Sequence, residues 1–303
     1  MAATLIAIVI AIVLGHVAPA FAASARDYGW FGRWLHWLGQ RFVEGSAWRG
    51  RFGIALALLP PLLLVALFQV ALDAPLLGLA GLLFGVAVMF YSWGPRDLDL
   101  DVEAIVCAPD PASRREAALK LWPDPATAVV DAPGVVAAVF GAAQRRWFGV
   151  VFWFLLFGAV GALLYRLAAL AAEGGESRLL PAETAVGARW LRALMDWPVA
   201  QLMTLAMALV GNFDTVVGAW KDNGGATFQL DAGFLAAAGR ASVRAEVAEE
   251  AEEYVGEGIA GSSALLQQLG ELPELRDAMS LAWRILLLWL AVLALLVLAG
   301  WVA

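Results

Sequence analysis

The chain has 303 residues, of which 62% are hydrophobic and only 16% are charged, and its formal net charge is −7. Soluble domains carry about 25% charged residues, so this composition excludes an ordinary soluble domain and predicts a protein surrounded by lipid. The acidic balance without a basic block excludes nucleic acid as a partner class, and a single cysteine, Cys107, excludes an internal disulfide.

A membrane helix needs about 20 apolar residues, because the hydrocarbon layer is about 30 Å thick. Several apolar runs approach that length, and the second and third are joined only by Asp73-Ala74-Pro75 as a tight hairpin. Arg166 lies late in the fourth run, where we expect its side chain to snorkel to the interface. The predicted spans are Ala2–Phe21, Phe52–Leu72, Leu76–Trp93, Phe148–Ala172 and Ile285–Val302.

Tryptophans stand near the ends of these runs, as in an aromatic belt at the level of the lipid headgroups. They are Trp48, Trp93, Trp147, Trp283 and Trp301.

The first run has two interpretations. Residues 18–22 resemble a signal-peptidase site, but no Lys or Arg precedes the apolar run, so the basic segment of a signal peptide is missing. We therefore predict that Ala2–Phe21 is a retained membrane helix. Its His16 either lines a polar path or, as we favour, faces the helix bundle as a hydrogen-bonding residue.

Residues 194–211 form an apolar segment of a different kind. Pro198 suits a first helical turn, Asp196 lies just upstream as a cap, and Gly211-Asn212 is a stop signal. A helix from Pro198 to Val210 would be only about 20 Å long, too short to cross the membrane alone. We therefore predict a re-entrant or amphipathic helix here.

The polar stretches complete the predicted organisation. Residues 23–51 contain an amphipathic helix that either lies in the interface plane or packs on its own bundle. Its apolar arc is Trp30, Phe31, Trp34, Leu35, Leu38 and Phe42, opposite Arg33, His36 and Gln40. Arginines in 23–51 and in the connection 94–146 predict that both face the cytoplasm.

We therefore expect an all-α polytopic membrane protein with about five transmembrane helices plus the re-entrant or amphipathic one. Its predicted parts are a membrane domain over 1–172, a polar helical region over 173–282 and a C-terminal transmembrane helix over 283–303. The side of the membrane on which 173–282 lies stays open, and the region carries an acidic helix through Glu246–Glu253.

Four acidic residues beside a membrane exit are weak candidates for a metal site: Asp97, Asp99, Asp101 and Glu103. Clustered carboxylates can hold Mg²⁺. The alternative, which we favour, is that these residues cap a helix and favour its first turn through the helix dipole.

The remaining motifs carry little chemistry. Residues 256–262 spell G-x-G-x-x-G, but an acidic helical segment precedes them instead of the strand that a dinucleotide loop requires. With two histidines and one cysteine, neither a zinc site nor a Cys/His nucleophile has support. We predict no catalytic residues and no cofactor.

Three groups of residues resemble the AmpE family of bacterial inner-membrane proteins. They are Phe90–Leu98, Phe152–Gly158 with Gly161–Arg166, and Asp196–Pro198. The family is similar to the CobD/CbiB adenosylcobinamide-phosphate synthases. The resemblance implies a multi-pass protein of the inner membrane with a signalling role in β-lactamase induction, tied to cell-wall recycling, and a protein partner in the envelope or in that recycling.

Departures from the synthase pattern concern its polar motifs. Where the synthases carry an acidic and amide motif, this chain has Ala142-Ala143-Gln144, and after Tyr165-Arg166 it has Leu167–Ala171. We therefore expect a regulator without its own catalysis. The alternatives are a CobD-like synthase, or a related nucleotide-using membrane enzyme, and a scaffold for other envelope proteins.

Overall fold

The computed structural model describes residues 2–17, 19–42, 46–72, 78–94, 96–256 and 272–300. Within these ranges the chain forms helices and no β-strand, which confirms the predicted all-α class. The helices are α1 Ala2–Val17, α2 Pro19–Ala25, α3 Gly29–Arg41, α4 Gly53–Leu72, α5 Gly78–Ser92, α6 Leu98–Val106, α7 Pro111–Leu119, α8 Ala132–Ala143, α9 Gly149–Phe157, α10 Ala159–Ala172, α11 Gly174–Ser177, α12 Ala182–Val210, α13 Phe213–Asp222, α14 Gly233–Gly256 and α15 Pro273–Leu298.

Four stretches of the described chain are long and apolar enough to cross a membrane. Shorter apolar helices accompany them at Ala3–Gly15, Gly78–Ser92 and Ala159–Ala172. The chain is therefore a polytopic membrane protein, as predicted. The long stretches are Gly53–Leu72, Ala132–Phe157, Ala182–Val210 and Pro273–Leu298.

The chain divides into two compact units. Unit 1 comprises Met1–Asp97, Arg145–Asp196 and Val292–Ala303, and unit 2 comprises Leu98–Gln144 and Trp197–Ala291.

In unit 1, α4 has one face in the core and one face suited to lipid. Ile54 and Leu58 are buried in a cluster with Leu163 and Leu167 of α10. On the other face large aliphatic side chains are exposed, among them Leu67 at 73%. Such a continuous exposed apolar surface is what a membrane helix presents to acyl chains.

The amphipathic helix predicted in residues 23–51 is α3. Phe31, Leu35 and Leu38 are buried in the core of unit 1, whereas Arg33 and the other predicted polar positions are exposed. The predicted faces are therefore confirmed, and the apolar one packs on its own unit instead of facing lipid.

Unit 2 brings α8 and α14 into close contact. A Cβ placed on Gly239 of α14 would lie 2.3 Å from the ring of Phe140, so the small residue allows the aromatic ring to pack on the helix backbone. The acidic helix predicted through Glu246–Glu253 is the second half of α14.

Two predicted segment boundaries are wrong. Residues 194–211 belong to α12, which begins at Ala182, so Pro198 lies inside a 29-residue helix and not in its first turn. The predicted fourth span is preceded by the apolar helix α8, joined to α9 by a π-helical turn over Gln144–Phe148, and it is broken at Gly158.

The predicted tryptophan belt is also wrong for three of its five residues. Trp48, Trp93 and Trp147 are 0%, 7% and 3% exposed, and are core residues. The Trp283 indole donates to Asp99, and Trp301 lies outside the described residues.

Candidate functional site

The four acidic metal candidates occupy different environments. Asp97 lies at the end of a segment of unit 1, whereas Asp99 and Asp101 are in the first turn of α6 in unit 2. Asp99 accepts a hydrogen bond from the Trp283 indole at 2.7 Å, Asp101 is 3% exposed, and Glu103 is exposed. Among the described residues no three His, Cys, Asp or Glu side chains are grouped so as to hold a metal ion.

Unit 1 instead concentrates its buried polar groups at the C-terminal end of α5. The last carbonyls of a helix have no partner within it and must be satisfied from outside. Arg26 supplies two donors: its Nε donates to the Phe90 carbonyl at 3.0 Å and its Nη1 to the Gly94 carbonyl at 3.1 Å. The guanidinium also lies 4.7 Å from the centre of the Phe90 ring.

Two further side chains complete this helix end. Arg166 of α10 donates from Nε to the Ser92 carbonyl at 2.7 Å, and Tyr28 donates its hydroxyl to the Tyr91 carbonyl. Arg166 is only 3% exposed, so the prediction that it snorkels to the interface is wrong. It is a buried residue that joins α10 to α5.

Burial raises the pKa of the Tyr28 phenol to about 12, from an ordinary value of 10.0. Because the unfolded chain ionises first, Tyr28 contributes stability that is complete below pH 10 and lost as the pH rises through 12. We expect the stability advantage of the wild type over Tyr28→Phe to shrink by about 2–3 kcal/mol across this range. Chemical denaturation of the detergent-solubilised protein at several pH values measures it, and a constant difference between the two proteins would contradict it.

Burial also lowers the pKa of the Arg26 guanidinium, with a further lowering from the neighbouring charge of Arg166. Tyr28 and Asp97 act in the opposite direction. The environment of Arg26 is therefore one in which a positive charge is costly.

A second buried network links α10 and α12 in unit 1. Arg192 Nε lies 2.6 Å from the Asp196 carboxylate, and its Nη1 lies 3.2 Å from Glu173. The Tyr165 hydroxyl donates to the other Asp196 oxygen at 2.7 Å, and Arg145 Nε is 4.0 Å from Glu173. Asp196, predicted as a helix cap, is thus an ion-pair partner within α12.

A third polar feature is the break between α9 and α10. Gly158 has φ +64°, and Gln69 of α4 bridges the break: its Nε2 donates to the Phe157 carbonyl at 3.2 Å and its Oε1 accepts from the Val160 N–H at 3.1 Å. In a membrane, backbone groups freed by a break need such partners. A cavity of about 300 Å³ adjoins the break, lined by Thr4, Gln69, Gly158 and glycines of α5.

Three features singled out in the sequence fall in parts of the chain that the structure does not describe. Residues 257–262 of the G-x-G-x-x-G segment, the Asp73–Pro75 join and the His16 side chain lie outside the described residues. Sequence reasoning missed Arg26 and Arg192 as buried groups. For Arg192 the sequence does carry a signal, because a charged residue in a long apolar helix requires a buried or interfacial partner.

Comparisons with family models, curated proteins and solved structures found no match to this chain.

Proposed function

We propose that this protein is a non-catalytic regulator in the bacterial inner membrane that modulates β-lactamase induction linked to cell-wall recycling. The proposal comes from the resemblance to the AmpE family. The observation that supports it is that residues carrying the resemblance, which are far apart in the sequence, contact one another in unit 1.

Two contacts between motif residues make this point. Arg166 donates to the Ser92 carbonyl across 74 residues, and Tyr165 donates to Asp196 across 31. Trp153 of the second group also donates its indole N–H, at 3.2 Å, to the carbonyl of Met195, which directly precedes the Asp196–Pro198 motif. The motif residues thus hold helices together. This structural role accounts for their presence without any catalytic role.

Buried alanines occupy positions at which the synthases carry polar groups, and they favour the same interpretation. Ala142 and Ala143 are fully buried, as is Ala168, and Ala169 is 7% exposed. Catalysis on a phosphorylated intermediate needs donors or a metal ion aimed at the developing charge. Methyl groups packed in a core supply neither.

Deletion of the gene tests the regulatory role. We expect β-lactamase induction by a sub-inhibitory β-lactam to change several-fold in the deletion strain and to return to its original level with the wild-type gene. Leu67→Ala, a change on a lipid-facing position, should complement equally well. Unchanged induction in the deletion strain would contradict the proposal.

The enzyme alternative is tested in a strain that lacks the cobinamide-phosphate synthase. We expect no restoration of cobamide synthesis. Restoration by the wild type, with loss in a variant whose Asp97, Asp99, Asp101 and Glu103 are all alanine, would assign synthase activity and overturn our proposal.

A further inference from the structure

Within the described part of the chain, Arg26 and Arg166 are buried arginines that hydrogen-bond only to uncharged groups. Arg26 is 6% exposed and donates to carbonyl oxygens of Phe90 and Gly94. Arg166 is 3% exposed and donates to carbonyl oxygens of Ser92 and Arg145. Among the described residues no carboxylate is within ion-pair distance of either guanidinium, and Asp97 attracts Arg26 only from farther away.

This arrangement leaves positive charge in the interior of unit 1. The charge of Arg166 lowers the pKa of Arg26, so the two guanidiniums are close enough to repel. Burying a charge costs several kcal/mol unless a counter-charge and hydrogen bonds compensate it. The carbonyl end of α5 contributes roughly half a negative charge, which offsets about a quarter of the two positive charges.

Two buried polar groups at the same helix end also lack hydrogen bonds to any of the described residues. They are Nη2 of Arg26 and the hydroxyl of Ser92, which is 0% exposed. The Ser92 hydroxyl belongs to the same residue whose carbonyl accepts from Arg166, and the Phe90 and Gly94 carbonyls that accept from Arg26 lie two residues away on either side. A pair of guanidiniums with an adjacent hydroxyl is the donor set that phosphate oxygens favour.

We propose that Arg26, Arg166 and Ser92 bind the phosphate group of an anionic ligand at the C-terminal end of α5. Two positive charges match a phosphate dianion. The same chemistry fits a phospholipid headgroup and a soluble phosphate ester. The proposal goes beyond the regulatory function and does not depend on it.

The test uses the full-length protein purified in detergent and in lipid nanodiscs. Thermal unfolding is followed with inorganic phosphate against chloride at equal ionic strength, and in nanodiscs that contain phosphatidic acid against phosphatidylcholine alone. We expect stabilisation by at least one of the two phosphate probes. Ser92→Ala should weaken that binding about tenfold, since it removes one hydrogen bond to a charged group.

Arg166→Lys should weaken binding further, because an ammonium cannot form the paired bonds of a guanidinium. That variant also removes a helix cap, so Ser92→Ala, whose hydroxyl makes no hydrogen bond within the described chain, serves as the variant that retains the fold. Arg178→Gln, an exposed arginine of unit 1, is the matched control and should bind as the wild type does.

The two sources of phosphate give different results. Stabilisation by inorganic phosphate that weakens in Ser92→Ala assigns a soluble phosphate ester. Stabilisation by phosphatidic acid alone, again weakened in Ser92→Ala, assigns a lipid headgroup. No stabilisation by either probe, or equal stabilisation of Ser92→Ala and the wild type, would overturn the proposal.

Discussion

Replacing Arg192 with methionine should destabilise the protein by about 3–5 kcal/mol, the usual cost of removing one partner of a buried ion pair. The guanidinium lies 2.6 Å from the Asp196 carboxylate and 3.2 Å from Glu173, and its side chain is 6% exposed. The variant leaves a carboxylate in the interior of unit 1 without this counter-charge. Denaturant unfolding of the purified protein measures the loss.

Two further variants separate the ion pair from other effects. Arg189→Met, at an exposed position of the same helix, should change the free energy of unfolding by less than about 0.5 kcal/mol. Combining Arg192→Met with Asp196→Leu should recover part of the stability, because the second change removes the buried negative charge. Equal losses at positions 189 and 192, or additive losses in the double variant, would contradict this account.

Gly158→Ala is expected to cost about 2–5 kcal/mol, from backbone strain and from lost hydrogen bonds. Gly158 has φ +64° and ψ −145°, a conformation that residues with a side chain rarely adopt. A Cβ there would also lie 2.8 Å from Nε2 of Gln69 and displace the amide that bridges the break. Thermal unfolding in detergent measures the effect.

Gly39→Ala provides the control for this substitution. A Cβ at Gly39 of α3 would meet nothing within 4 Å, so alanine should stabilise the helix by up to about 1 kcal/mol. Adding Gln69→Leu to Gly158→Ala should cost less than the sum of the single changes, since both remove the same bridge. A Gly158→Ala variant as stable as the wild type would show that the break needs no glycine.

Regular apolar patterns predicted much of this fold. The second span was predicted as Phe52–Leu72 and is observed as Gly53–Leu72, because a run of apolar residues in which Gln69 is the one strongly polar side chain forms a helix in lipid. The faces of α3 were readable for the same reason, since a 3.6-residue period orders them without knowledge of any partner. The local sequence was sufficient to predict a helix wherever that helix is determined by the contrast between apolar and polar surroundings and not by a particular partner residue.

The polar groups inside apolar segments were not predictable in this way. Asp196 and Pro198 together resemble a helix start, and pairing with Arg192 and Tyr165 helps to make a buried aspartate acceptable within α12. Arg166 resembles a snorkelling residue until its partner at Ser92 is known. Each of these errors arose because the compensating group lies elsewhere in the chain.

The hydrogen-bonded C-terminal end of α5 also constrains the order in which the protein can fold during synthesis. Arg26 and Tyr28 are synthesised before α5, but Arg166 follows Ser92 by 74 residues. A nascent chain that has finished α5 therefore still lacks the donor for the Ser92 carbonyl, which must stay hydrated until α10 emerges. A chain stalled between these helices therefore exposes a polar helix end that the finished protein conceals.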